Sequence, residues 1–90
     1  MRFEIYNNHN PTYRYCIFLY GESLTVVGSY LYVDKEIMEY LNLSVEDFHG
    51  IIIKNNGKVM DNEHYFKSIK DCNSAIIDLE PYLIMEKLMK

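Results

Sequence analysis

The chain has 90 residues, 49% of them apolar and 24% charged, with a formal net charge of −4. That length fits a single domain with one modest core, and the composition lies outside the polar, highly charged range of disordered chains. The nine Lys and Arg run from Arg2 to Lys90 without forming a basic stripe, which argues against direct binding of nucleic acid.

In chain order, "RFEIY" (2–6) alternates Phe3 and Ile5 with Glu4, as a short strand does. "NNHNP" (7–11) is turn chemistry. A second strand is expected over 13–20, then "GES" (21–23) as a three-residue hairpin loop, then a third strand over 24–33. Asp34 is placed to cap a helix over 35–42 whose apolar set is Ile37, Met38 and Leu41. Ser44 with Asp47 resembles a capping box and favours a helix through Val45, Phe48, Ile51 and Ile52, ended by Gly57 in the left-handed position. The same segment also reads as a hairpin, with Asn56-Gly57 as a type I′ turn between "IIIK" and "KVM". "HYF" (64–66) suits a short strand. Ser68 and Asp71 repeat the cap signature. Ile69, Cys72, Ile76, Leu79 and Leu83 then form a helical stripe, with Pro81 kinking the helix or opening a second one that runs to about Leu88. The expected architecture is α+β in two layers: a small N-terminal antiparallel sheet of about three strands, packed against three or four C-terminal helices.

Five of the nine tyrosines fall in residues 12–33. Along the second strand Tyr13, Tyr15, Ile17 and Leu19 share one face, and Arg14, Cys16, Phe18 and Tyr20 the other. Along the third, Tyr30 and Tyr32 share a face with Leu24 and Val26. A half-exposed sheet should show one polar face, and neither face here is polar. Helices on one side leave aromatic surface on the other, and surface of that kind marks interaction sites. The expected partner-binding residues are therefore Tyr13, Tyr15, Tyr30 and Tyr32. The acids Glu36, Glu39, Glu46 and Asp47 join them as an acidic patch, because residues 34–53 hold the entire charge imbalance. Helix caps and first turns account for most of those acids equally well.

Catalytic chemistry is not expected. Cys16 and Cys72 sit in apolar patterns without a CxxC spacing, as two free buried thiols in a reducing compartment would. No signal-like N-terminal segment is evident, and Glu22 interrupts the one apolar stretch long enough to span a membrane. His64 follows Asp61 and Glu63 in "DNEH", but no HExxH, HxH or finger spacing accompanies it, so no metal or cofactor is expected and the string reads as a solvated loop. The four glycines are isolated and form no phosphate cradle.

These observations converge on a small non-enzymatic protein-binding module. Asn, Ile, Lys and Tyr exceed a third of the chain and have AT-rich codons, which points to an AT-rich bacterium or one of its phages, and the reading of the cysteines places the protein in the cytoplasm of the bacterial or phage-infected cell. The most concrete form is an accessory or inhibitor protein of a phage or mobile element, docking on a host machine such as a nuclease complex. Two alternatives stand beside it: a homodimeric structural or regulatory domain, and a protein that sequesters a small nucleotide between aromatic rings. The latter calls for basic residues near the tyrosines, and only Arg14 qualifies.

Overall fold

The computed structural model describes residues 1–21 and 29–84. It is α+β, with an antiparallel sheet of five strands and three α-helices. The strands are β1 (Arg2–Asn7), β2 (Tyr15–Gly21), β3 (Ser29–Leu31), β4 (Lys58–Met60) and β5 (Glu63–Phe66). β2 is central: Cys16, Ile17, Phe18 and Leu19 are all buried. β1 lines one edge of β2, from Arg2↔Tyr20 to Asn7↔Tyr15. β5 and β3 share the other edge end to end, β5 through Cys16↔Tyr65 and β3 through Tyr20↔Tyr30. β4 extends the sheet beyond β5.

Several expectations are corrected. The sheet has five strands rather than three, because "KVM" and "EHYF" form a hairpin that docks on β2. Gly21 lies within β2 opposite Ser29, so it is a strand residue. The rest of the expected "GES" loop and residues 24–28 of the strand expected over 24–33 lie outside the described residues, and the described part of that strand is β3, Ser29–Leu31. Residues 11–14 precede β2, whose ladder begins at Tyr15, because Asn8 and Asn10 fold the preceding segment into side-chain-closed turns.

The helices are α1 (Asp34–Ile37), α2 (Val45–Lys54) and α3 (Ile69–Leu79), with 3₁₀ turns over Met38–Tyr40 and Glu80–Tyr82. Both Ser caps form as expected: Ser44 Oγ accepts from the Asp47 amide and Ser68 Oγ from the Asp71 amide, each at 3.1 Å. Residues 45–60 reconcile the two readings of that segment, as a helix followed by a strand. α2 closes in a Schellman motif, with Gly57 N donating to Ile52 O at 2.8 Å and Asn56 N to Ile53 O at 3.0 Å. The left-handed residue is Asn56 (φ 67°), not Gly57. The type I′ turn belongs to Asp61 and Asn62 (φ 54° and 64°), which join β4 to β5. The C-terminal helix ends at Leu79, since Pro81 opens a 3₁₀ turn and Leu83 is extended and bridges to Leu41. Residues 85–88 of the expected helix lie outside the described residues.

One face of the sheet carries the core. Phe3, Ile17, Leu19 and Phe66 pack there against Ile37 and Leu41, against Phe48 and Ile52 of α2, and against Cys72, Ala75 and Leu79 of α3. Ile69 and Val45, expected in the helical stripes, are exposed instead, each in the first position of its helix. Both cysteines are free and buried. Burial, reinforced by Glu63, pushes the Cys16 thiol up to about 12, and burial pushes Cys72 to about 12 as well. The nucleophile is the thiolate, so neither thiol should react with iodoacetamide in the folded protein at about pH 8, and both should react in guanidinium chloride. An unfolded thiol ionises near 8.5. Stability held by the protonated folded thiols is therefore complete below about pH 8.5 and falls as pH rises towards 12. Rapid alkylation of the native protein would contradict this placement.

Candidate functional site

The face of the sheet turned away from the helices is aromatic. Antiparallel pairing stacks residues opposite one another across strands. Here it sets Tyr6, Cys16 and Tyr65 in one row and Tyr20 and Tyr30 in another, with Phe18 between the rows. Phe18 stacks on Tyr32 with centroids 5.0 Å apart and meets Tyr6 and Tyr30 edge-on at 6.2 and 5.7 Å. Tyr6 meets Tyr32 edge-on at 5.5 Å, and Tyr20 lies 5.1 Å from Tyr30. Such pairs contribute about 0.5–1.5 kcal/mol each beyond their burial. The rings thus cover Phe18 and Cys16 while remaining half-exposed, and Tyr30 is 57% exposed. At the rim Arg2 pairs with Glu4 and lies 4.9 Å over the Tyr20 ring, while the Tyr65 hydroxyl donates to Glu63 Oε1 at 2.8 Å. Burial raises the phenol pKa of Tyr6, Tyr32 and Tyr65, with Cys16 and Glu63 adding to the effect, so these hydroxyls stay neutral donors well above neutral pH.

The residues expected to bind a partner do not form one patch. Tyr30 and Tyr32 lie on the aromatic face. Tyr15 faces the other way and packs against the core. Tyr13 precedes β2, with the Lys58 and Lys67 ammonium groups each 5.5 Å from its ring. Glu36, Glu39, Glu46 and Asp47 are exposed on the helical layer, which covers the opposite side of the sheet. Three tyrosines that belong to the face, Tyr6, Tyr20 and Tyr65, were not in the expected set. Strand parity could have found Tyr20. A three-residue loop over 21–23 pairs Tyr20 with residue 24, and the observed register pairs it with Tyr30. Both arrangements keep even-numbered residues together, which joins Tyr20 to Tyr30 and Tyr32 and excludes Tyr15.

A second constellation lies inside the fold. Asp34 does not cap α1; the cap position is Val33, and no side chain bonds there. The Asp34 carboxylate is buried and turns inward between two imidazoles. His49 Nε2 lies 2.7 Å from Oδ2, and His64 Nε2 bonds to Oδ1. His64 is fully buried on β5, against the Phe48 ring at 4.6 Å, so the solvated-loop reading of "DNEH" is corrected. The strand alternation that brings Phe66 into the core brings His64 with it. Burial pulls the His64 pKa below its ordinary value, although its bond to Asp34 opposes the shift. Its Nδ1 is buried without a hydrogen-bond partner. α1, α2 and β5 each supply one member of this group, and the Asp34 amide is anchored by donation to Asn62 O at 3.1 Å in the β4–β5 turn.

Among the described residues no helix is long and apolar enough to cross a membrane. No protein-family model matches the chain, and neither a curated protein nor a solved structure does so significantly.

Proposed function

We propose that the chain is a small non-enzymatic protein-binding module that docks on a larger protein through the Tyr6–Phe18–Tyr20–Tyr30–Tyr32–Tyr65 face. The observation that carries this reading is the aromatic layer on the side of the sheet opposite the described helices. Tyrosine offers large contact area, a polar tip and little entropy to lose on docking.

The character of the face favours a different protein over a second copy. Permanent homodimer interfaces resemble a core cut in half. Here the apolar centre, Phe18 and Cys16, is already covered by the chain's own rings, and what remains outward is half-exposed tyrosine with a charged rim. That mixture matches non-obligate interfaces, which are about as polar as ordinary surface and enriched in aromatics. An accessory or inhibitor protein docking on a host machine is the concrete form of this reading. The solvent-facing acids of the helical layer stand apart from it.

The test begins with light scattering, where a monomer is expected. Wild-type and Tyr30→Ala proteins are then used side by side to capture a partner from host extract, and the affinity of the purified pair is measured. Tyr30→Ala should weaken that affinity by about 30-fold, the size of an interface hot spot, while the loss of its two ring pairs, with Phe18 and Tyr20, costs about 1–3 kcal/mol of stability and leaves the protein folded. Equal affinities would remove the face from the interface. A dimer that Tyr30→Ala splits would establish the homodimer reading instead.

A further inference from the structure

We propose that Asp34, His49 and His64 form a binding site for a divalent transition cation of the zinc class. Each residue offers one ligand atom, and these atoms all lie within 4.8 Å of one another. Donors about 2.0–2.1 Å from a tetrahedral ion stand roughly 3.4 Å apart. Admitting the ion therefore requires each imidazole to draw back from the carboxylate by about 1 Å, and any donor pair nearer the 4.8 Å limit to close by a similar amount. The side chains that must move end in Nε2 atoms already aimed at the carboxylate.

The charge balance points the same way. Asp34 is a buried carboxylate, and among the described residues its charged or ionisable partners are the two histidines, with no Lys or Arg paired to it. Among the described residues the buried carboxylate is thus faced by two imidazole nitrogens and by no permanently charged cation, and a dication held among the three donors would supply the positive charge that a buried carboxylate needs. Two imidazoles and one carboxylate select borderline transition ions over Mg²⁺ or Ca²⁺, which take oxygen ligands.

The site is open on one side. His64 is sealed in the core while His49 keeps 30% of its side chain exposed, so the ion and a completing water enter past His49. Three protein donors plus water is a recognised zinc arrangement. Binding moves each ring proton to Nδ1. For His64 that proton lacks an acceptor among the described residues, and a missing partner of this kind weakens metal affinity about 10–100-fold. A Kd of about 10–100 nM is therefore expected rather than a nanomolar one.

The full chain, stripped with chelator, is titrated with Zn²⁺ and separately with Mg²⁺ by calorimetry, with the Tm followed in parallel. Zn²⁺ should bind one to one and raise the Tm by about 10 °C at 100-fold excess over Kd, while Mg²⁺ does neither. His49→Gln, at the partly exposed position, should remain folded and lose at least about 10-fold in Zn²⁺ affinity, whereas His9→Gln should bind as the wild type does. Absence of Zn²⁺ heat, an equal response to Mg²⁺, or Zn²⁺ binding unchanged in His49→Gln would each overturn the site.

Discussion

Replacing Asp34 with alanine should lower the stability of the metal-free protein by about 2–4 kcal/mol. In a domain this small that is a fall in Tm of roughly 10–20 °C. The substitution removes the acceptor of two imidazole hydrogen bonds. His49 can turn to water, but His64 is fully buried and would hold both ring nitrogens unpaired, since its Nδ1 has no partner already. The magnitude decides between two roles. A carboxylate acting only in the first turn of a helix contributes about 0.3–1 kcal/mol. A buried acceptor serving an enclosed imidazole contributes several times that. Asp34→Asn keeps one carbonyl oxygen and so should lose about half as much, and Glu36→Ala, at the exposed neighbour, should stay within about 0.5 kcal/mol of wild type. Urea midpoints at constant m-value give the comparison. A loss below about 1 kcal/mol for Asp34→Ala would return this residue to the role of a helix-end charge.

What the sequence revealed divides by the range of the interaction. β1 was legible because Phe3 and Ile5 alternate with Glu4, and α2 and α3 because Ser44 and Ser68 reach amides three residues on. Those signals are local, and they fixed the helical start of 45–60. The end of α2 was harder. Asn56 and Gly57 carry both cap and turn chemistry, and the competition between them is settled by Phe66, a strand residue that packs where Gly57 leaves room. "HYF" was legible as a strand and is β5, but β4 and β5 span only three and four residues, too few for a period to show that they pair with each other and with β2. The Asp34–His64 bond joins residues 30 apart and the Asp34–His49 bond residues 15 apart. No local spacing announces such a group, and an acid just ahead of an apolar helical pattern looks the same as a cap. The aromatic face falls between these cases: its alternation was visible strand by strand, while its membership depended on which strands lie beside β2.

Gly57→Ala should destabilise the protein by about 1–3 kcal/mol, even though it exchanges the most flexible residue for one with a smaller unfolded ensemble. A Cβ at this position would stand 2.6 Å from Phe66 Cε2, 2.7 Å from Ile52 Cγ2 and 2.9 Å from Ile52 O. None of the three can retreat cheaply. Phe66 and Ile52 are fully buried, and Ile52 O accepts the Gly57 amide in the Schellman closure. Relief must come from opening the contact between the end of α2 and β5, which also carries His64. Gly50 provides the opposing control within the same segment. A Cβ there meets nothing within 4 Å, and the position is in the middle of α2, so Gly50→Ala should stabilise by up to about 1 kcal/mol through helix propensity alone. Two identical substitutions seven residues apart should thus move the denaturation midpoint in opposite directions. Changes of the same sign would mean that backbone entropy, not the Phe66 contact, governs both positions.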